Sequence, residues 1–319
     1  MGTPGHDRDV PRRADVQTPG RAVVRMASRT RGKRRTEAIT MELKIRNLTK
    51  TFEEPSGDRL VVLDDISFPV EVGSFTSIMG PSGCGKSTLL NILAGLHTYD
   101  DGKIEWEGSV VDPGDLPVGY VFQEPRLLNW RTVEDNIKFA LNAQGVPEKE
   151  HEDRIHDVLT TVGLADEKQS YPLRLSGGMR QRVGIARALA VDPDILLMDE
   201  PFSDLDELTA RNLRDDLIEL WQETGKTIVF VTHDISEAVY LSDEIKFLDT
   251  MGLLFNEVSI DQPRPRKPND SELLQIESDL MDTFFARMEE IDANEAMTRD
   301  DEDAERTSQA ASSGGPDVV

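Results

Sequence analysis

The stretch Gly80-Pro81-Ser82-Gly83-Cys84-Gly85-Lys86-Ser87-Thr88 constrains this chain more than any other. It fits the pattern G-x-x-x-x-G-K-[ST], in which glycines turn successive backbone N–H groups toward one anion and a helix N-terminus adds its positive dipole end. The flanks agree with that use. Ser74–Met79 is β-branched and apolar and reads as a buried strand; Thr88–Ala94 reads as a helix. In such a loop Lys86 reaches the β- and γ-phosphates of a nucleotide, the Ser87 hydroxyl sits on Mg²⁺, and Thr88 adds an α-phosphate contact. The whole run Gly80, Pro81, Ser82, Gly83, Cys84, Gly85, Lys86, Ser87 and Thr88 is therefore a candidate nucleotide-binding segment.

The rest of the chain supplies further polar groups at the ends of apolar runs. Ile195-Leu196-Leu197-Met198 ends in Asp199-Glu200-Pro201, and Thr227–Thr232 ends at His233. Uninterrupted apolar strands suit a parallel sheet covered on both faces, where ligands collect at the carboxyl ends. Asp199, Glu200 and His233 are thus expected to face the phosphate loop. Gly119–Gln123 is another strand, ending on the amide of Gln123. Leu175-Ser176-Gly177-Gly178-Met179-Arg180-Gln181 opens a helix whose apolar stripe is Val183, Ala186, Leu189 and Ala190, and Ser176, Gly177 and Gly178 offer bare N–H groups at its start. Between Gln123 and Ser176, helical spacing over Val133–Leu141 and Glu150–Val162 predicts an inserted helical segment, about 124–176.

Earlier in the chain, Glu42–Leu48 alternates as a half-exposed strand, and Leu60–Leu63 and Ile66–Val70 give two more strand signals. Phe52 falls in a loop between them; it either stacks on an adenine ring or packs in the core. Asp101-Gly102 marks a turn before a strand at Lys103–Glu107. Ile245–Leu248 reads as an edge strand. Gln262–Pro268 is too proline-rich for a helix and reads as an extended linker, followed by an amphipathic helix over Leu273–Met288 that packs on the core or on a second copy.

Composition limits the partners. The net charge is −24 over 319 residues, yet residues 1–40 hold ten basic and four acidic residues, leaving 26 basic and 56 acidic on the remainder. An acidic body of that kind excludes a basic nucleic-acid face and resembles the solvated surface of salt-adapted proteins. Residues 1–40 and 292–319 are biased and aperiodic and are expected to be disordered; Met41 makes a natural first residue, which mass analysis of the native N-terminus tests. Cys84 is the single cysteine, so no intrachain disulfide forms; a space-filling role and a reactive thiol are the two readings. No run approaches the apolar length of a membrane span, and no apolar leader segment stands near the N-terminus.

Taken together and in this order, Gly80–Thr88, Gln123, Leu175–Gln181, Leu196–Pro201, Ser203–Asp206 and His233 resemble the ATP-binding cassette (ABC) transporter ATPases. The resemblance covers about Met41 to Leu248, flanked by a C-terminal extension over 249–291. Val121–Val133 and Met198–Ser203 are similar to the nitrate/sulfonate/taurine-type importer ATPases. The resemblance implies an α/β fold with a mainly parallel central sheet, an antiparallel β-subdomain and the inserted helical subdomain. It implies ATP and Mg²⁺ as cofactors, with Ser87, Gln123 and Asp199 as metal ligands, and Lys86, Gln123, Glu200 and His233 as catalytic residues. It also implies a head-to-tail homodimer in which Ser176–Gly178 cover the other copy's nucleotide. Such a pair would sit at the cytoplasmic face of the membrane on separate permease subunits, served indirectly by a solute-binding protein. Two positions depart from the family: Asn129 stands where proline is usual and Asp204 where alanine is usual, which leaves the cargo open. Nitrate, sulfonate, taurine and a thiamine-precursor pyrimidine all remain, as do a non-transport ABC ATPase and a subunit that binds ATP without turnover.

The excess of acid predicts that salt stabilises the body by screening self-repulsion. Thermal unfolding followed from dilute buffer into molar KCl checks this; stability or activity that falls in molar salt overturns it.

Overall fold

The structure, a computed structural model, describes residues 42–313. The expectations for residues 1–40 and for 314–319 lie outside that range. Strand β1 (Glu42–Glu53) and strand β2 (Arg59–Glu71) form an antiparallel hairpin. The two strand signals before Val70 are thus one strand, and Phe52 lies on β1 opposite Leu60 rather than in a loop. Strand β3 (Phe75–Met79) leads through the glycine loop into helix α1 (Lys86–Leu93). Strand β4 (Asp101–Trp106) returns beside β1, so Asp101 and Gly102 belong to the strand, and the short β5 (Ser109–Val110) closes a four-stranded antiparallel sheet in the order β2-β1-β4-β5.

Strand β6 (Val118–Val121) precedes an inserted pair of helices, α2 (Val133–Ala143) and α3 (His151–Thr161). Helix α4 (Gly177–Ala190) follows, then β7 (Ile195–Asp199), α5 (Glu207–Thr224), β8 (Thr227–Thr232), α6 (Ile235–Leu241) and β9 (Glu244–Leu248). The second sheet runs β10-β9-β3-β8-β7-β6, where β10 (Leu254–Ser259) pairs antiparallel with β9 and the other pairs are parallel. The edge is therefore β10; β9, read as the edge, lies one strand inside it.

Strand alternation divides the core at this sheet. Leu196, Met198, Ile228 and Phe230 face a cluster that includes α2, α3, α4 and α5. Ile195, Leu197, Val229 and Val231 face the opposite way, onto α1 and the antiparallel sheet. All eight side chains are buried. With both faces covered, the polar groups of β7 and β8 are left to their carboxyl ends.

The C-terminal extension is part of the folded body. Helix α7 (Ser271–Ser313) sets Leu273 and Leu280 against Met79, Ile235, Val239 and Phe247. It continues through 292–313, which the sequence suggested would be disordered. Alanine, glutamate and arginine recur there, beside single methionine and glutamine residues, and their high helix propensity carries the helix past its packed half. The linker before α7 is free of helix, as expected, but it bends at Arg264–Pro265 and turns at Pro268 instead of running extended, and it is pinned. Arg264 stacks on Trp221 and bonds Asp243 and the Leu241 carbonyl. Arg266, 4% exposed, donates to the carbonyls of Gln262, Val239, Tyr240, Ser242 and Ile260 at 2.6–3.2 Å. These bonds occupy backbone acceptors at the end of α6 that burial would leave orphaned. No helix among the described residues is long and apolar enough to cross a membrane.

Arg266→Ala strips five carbonyls of their donor and should cost about 3 kcal/mol of stability. Arg266→Lys, lacking the fork, should recover only part of it. Denaturant unfolding of the two variants checks both.

Candidate functional site

The loop between β3 and α1 owes its shape to two glycines. Gly85 has φ +99°, and a Cβ there would lie 2.6 Å from the Val62 carbonyl oxygen; a Cβ on Gly80 would lie 2.5 Å from the Leu248 oxygen and 2.6 Å from Cys84 Sγ. The first fixes a left-handed turn directly before α1, and the second lets the loop lie against the end of β9. The first turn of α1 holds no acidic residue, so its free N–H groups face the loop without an internal anion. Ser82 and Gly83 are exposed and Pro81 and Thr88 half-buried. Cys84 is buried in the core, and burial pushes its thiol pKa up. Its place is that of a space-filler, not of a reactive thiolate.

Lys86 is 5% exposed and donates from Nζ to the carbonyls of Gly80 and Pro81, both at 2.8 Å. Its Nζ also lies 3.9 Å from Glu200 Oε1. Ser87 Oγ donates to Asp199 Oδ1 at 2.9 Å. The Asp199 carboxyl is held above the usual range, first by burial, against the opposing bonds from Ser87 and Tyr120. Asp199 and the Ser87 hydroxyl thus form a pair of hard oxygens at the rim of the loop. Among the described residues no three His, Cys, Asp or Glu side chains gather into a metal-holding group. One carboxylate beside one hydroxyl suits a small hard cation such as Mg²⁺, which draws its remaining ligands from water and phosphate; it does not suit a metal held by thiolates or imidazoles.

Glu200 follows the last residue of β7 with φ 42°, a left-handed backbone for a non-glycine residue. Its N–H bonds the Val231 carbonyl, its carbonyl accepts from Ser203 Oγ at 3.0 Å, and its Oε2 lies 2.8 Å from His233 Nδ1. Against an ionised carboxylate, Nδ1 is the protonated nitrogen and donates. Asp234, beside the histidine, caps α6 through Ser236 and Glu237 N–H and so anchors the loop that carries the imidazole. Lys86, Glu200 and His233 are brought together as expected.

The side-chain amide of Gln123 is bonded to Ser203, while Ser87 and Asp199 are bonded to each other. Gln123 Nε2 donates to Ser203 Oγ at 3.1 Å, and through that hydroxyl it reaches the Glu200 carbonyl. Its loop is strapped to α4: Gln181 bonds the Phe122 carbonyl, and Arg187 bonds those of Pro125 and Arg126. Ser176 caps α4 by accepting from Met179 N–H, while Gly177 and Gly178 lie against Leu205 and Thr209. Phe52 is 37% exposed, with His97 edge-on at 6.0 Å and Lys50 Nζ 5.0 Å from its ring centre. That exposure excludes the core reading and leaves an aromatic surface open.

Two contacts here carried no signal in the sequence, although Ser203 stands in the Ser203–Asp206 motif. Ser203 bridges Gln123 and Glu200, and Tyr120 sets its hydroxyl 3.3 Å from Asp199 Oδ2 and 3.2 Å from Asn91 Oδ1. Burial first, then the charge of Asp199, raises the Tyr120 pKa, so its hydroxyl stays a donor. Both contacts depend on the packing of elements distant in sequence.

The sequence model of the ABC transporter family matches residues 63–203. An uncharacterized ABC transporter ATP-binding protein of Methanocaldococcus jannaschii is 44% identical over 240 residues, 75% of this chain and 90% of that protein. The aliphatic sulfonates import ATP-binding protein of Bacillus cereus is 39% identical over 76% of this chain and 96% of its own length. The taurine import ATP-binding protein of Roseobacter denitrificans is 42% identical over 64% of this chain and 76% of its own. Among solved structures, the dimeric structure of MJ0796, a bacterial ABC transporter cassette, has a TM-score of 0.61 at 32% identity, covering 69% of this chain and all of that one. A post-hydrolysis dimer of the same cassette bound to ADP and Pi gives 0.60.

Gly80→Ala should displace the loop from β9 and cost about 1–3 kcal/mol, because both atoms in its way, a backbone oxygen and a packed thiol, have little room to move. Denaturant unfolding, with faster hydrogen exchange over 80–86, checks it.

Proposed function

We propose that this chain, which belongs to the ABC transporter ATPase family, acts as a pair of copies that clamp ATP between them and drive an importer for small sulfonate-like anions. The observation that carries the catalytic part is Glu200, held at the end of β7 between Lys86 and His233.

Hydrolysis moves the γ-phosphoryl group of ATP to water, a reaction that asks the protein for position and charge rather than covalent chemistry. Lys86 leaves the loop carbonyls for the β- and γ-phosphate oxygens, whose charge the N–H groups of Gly80–Thr88 and the start of α1 also meet. Phe52 stacks on the adenine. Ser87 and Asp199 would hold Mg²⁺, and Gln123, whose amide nitrogen is bonded to Ser203, would join them through its amide oxygen. When bound, that ion neutralises phosphate charge and polarises the group under attack. Glu200 takes or polarises the proton of the attacking water, and His233 keeps the carboxylate in register and meets the γ-phosphate. Through Ser203, a shift of Gln123 reaches the Glu200 backbone, so the loop that senses the metal and the residue that aims the water move as one.

The Ser176–Gly178 start of α4 serves the nucleotide of the second copy, whose own Ser176–Gly178 complete this site in return. The dimeric MJ0796 structures support a pair of copies. A cleft of about 320 Å³ between the Gln123 loop and α4, lined by Gln123, Pro125, Arg126, Gln181 and Asp204, is the proposed seat of a membrane-embedded permease subunit at the cytoplasmic face. A solute-binding protein outside would select the cargo. The sulfonate and taurine import relatives support an anionic cargo of that class, with nitrate as a further member. A second reading, the same ATPase on a permease for another cargo such as a thiamine-precursor pyrimidine, draws on one observation: both family departures, Asn129 and Asp204, line this cleft.

Glu200→Gln should keep ATP affinity and lower turnover by about 10²-fold or more. The same variant should form an ATP-dependent dimer in size-exclusion chromatography. Near-wild-type hydrolysis, or a monomer at saturating ATP with the permease present, overturns the proposal.

A further inference from the structure

Asp249 follows the last residue of β9, and its side chain is fully buried. The parallel register pairs Met79 with Phe247, which brings Leu248 level with Gly80 and Asp249 level with the opening of the phosphate loop. The close approach of the Leu248 carbonyl to Gly80 is part of the same packing. Asp249 Oδ1 accepts from Met251 and Leu253 N–H at 3.0 Å, which fixes the β9–β10 turn. Those two neutral donors do not cancel its charge. The charge is felt in the loop: after burial, which acts most strongly, Asp249 is among the groups that raise the Cys84 thiol pKa.

The cation that answers it comes from the C-terminal extension. Arg287 of α7 bonds Asp249 Oδ2 from Nε at 3.2 Å and from Nη2 at 2.9 Å, with its guanidinium 5.9 Å from the centre of the Phe255 ring. Nη1 turns outward to Glu290 at 2.8 Å. The turn hydrogen bonds use Asp249 Oδ1 and leave Oδ2 to Arg287, and the α7 contacts of Leu273 and Leu280 do not involve the pair. Its particular property is charge, set behind a loop that must receive a polyanion.

We infer that Arg287 is a positioning residue for nucleotide binding: it neutralises Asp249 behind the phosphate loop, so that α7, when docked, keeps the field at Gly80–Lys86 favourable to a triphosphate. The inference rests on the reading of this loop as the ATP site. Without Arg287 a buried negative charge faces the same loop, and the Coulomb cost grows with each charge on the ligand. The extension thereby tunes affinity through charge, and any event that lifts α7 off Asp249 weakens binding without touching a residue that contacts nucleotide.

The test is titration of fluorescent mant-ATP and mant-ADP with the full chain, at the lowest salt in which circular dichroism shows it folded. Arg287→Gln should weaken mant-ATP binding about tenfold and mant-ADP binding less, because the penalty follows ligand charge. Arg287→Lys should stay near wild type. The double variant Asp249→Asn/Arg287→Gln removes both charges while the introduced amide oxygen still accepts the turn N–H bonds, and should restore mant-ATP affinity. If Arg287→Gln changes neither ligand, weakens both equally, or is not rescued by the double variant, the inference is overturned. If the wild-type chain binds no ATP, the reading of the site fails instead, and the inference with it.

Discussion

A parallel sheet sealed on both faces leaves charge only one place to go, the carboxyl ends of its strands. In this chain β3, β7 and β8 meet that condition, since their side chains feed two separate cores from opposite sides. Asp199 ends β7, Glu200 and His233 sit just past the ends of β7 and β8, and the glycine loop emerges there from β3. An ionised carboxylate one residue deeper would cost several kcal/mol; one residue further out it would be solvated and unaimed. These polar groups are therefore positioned by the burial of the apolar strand residues before them. Glu200 marks the boundary: its left-handed backbone is held by bonds to Val231 and Ser203 rather than by its own preference.

The same logic explains what was legible beforehand. Local rules governed the phosphate loop, the apolar strands and the helix starts, so their residues could be read from spacing. The errors fall where packing decides. Leu254–Ser259 alternates only weakly and joins β9 through an irregular register, so nothing in the string says that β9 is covered. Phe52 looks like a loop residue because the far end of the β1–β2 hairpin stands in solvent, with Leu60 opposite it exposed as well. Ser203 resembles any turn serine until β7 and the Gln123 loop are folded together. Residues 292–313 combine acid with strong helix formers, and composition alone does not rank the two tendencies.

Arginine does a distinct kind of work in so acidic a body. Basic residues are few against the acids of residues 41–319, and several sit where a planar fork can satisfy more than one partner. Arg266 collects backbone oxygens, Arg187 clamps the Gln123 loop, and Arg264 lies on Trp221. Burial lowers the Arg266 pKa to about 10, still far above neutrality, so the group keeps its proton and its five acceptors. Lysine, a compact and strongly hydrated point charge, could not span those oxygens. Surface acids can then accumulate without loosening the interior, because the bonds that join the extension to the cassette are shielded from salt by burial rather than weakened by it.

That shielding bears on how the site answers its nucleotide. The loop that carries Gln123 is bonded to α4 at three carbonyls, and α4 begins at Ser176–Gly178. In the proposed pair of copies, the residue that senses metal at one nucleotide is rigidly joined to the residues that cover the other. A helix transmits displacement along its axis with little loss, and packed cores have discrete rather than continuous arrangements. Two nucleotides held in this way are coupled by geometry alone, and Ser203, bonded to both Gln123 and Glu200, brings the hydrolytic step into the same coupling.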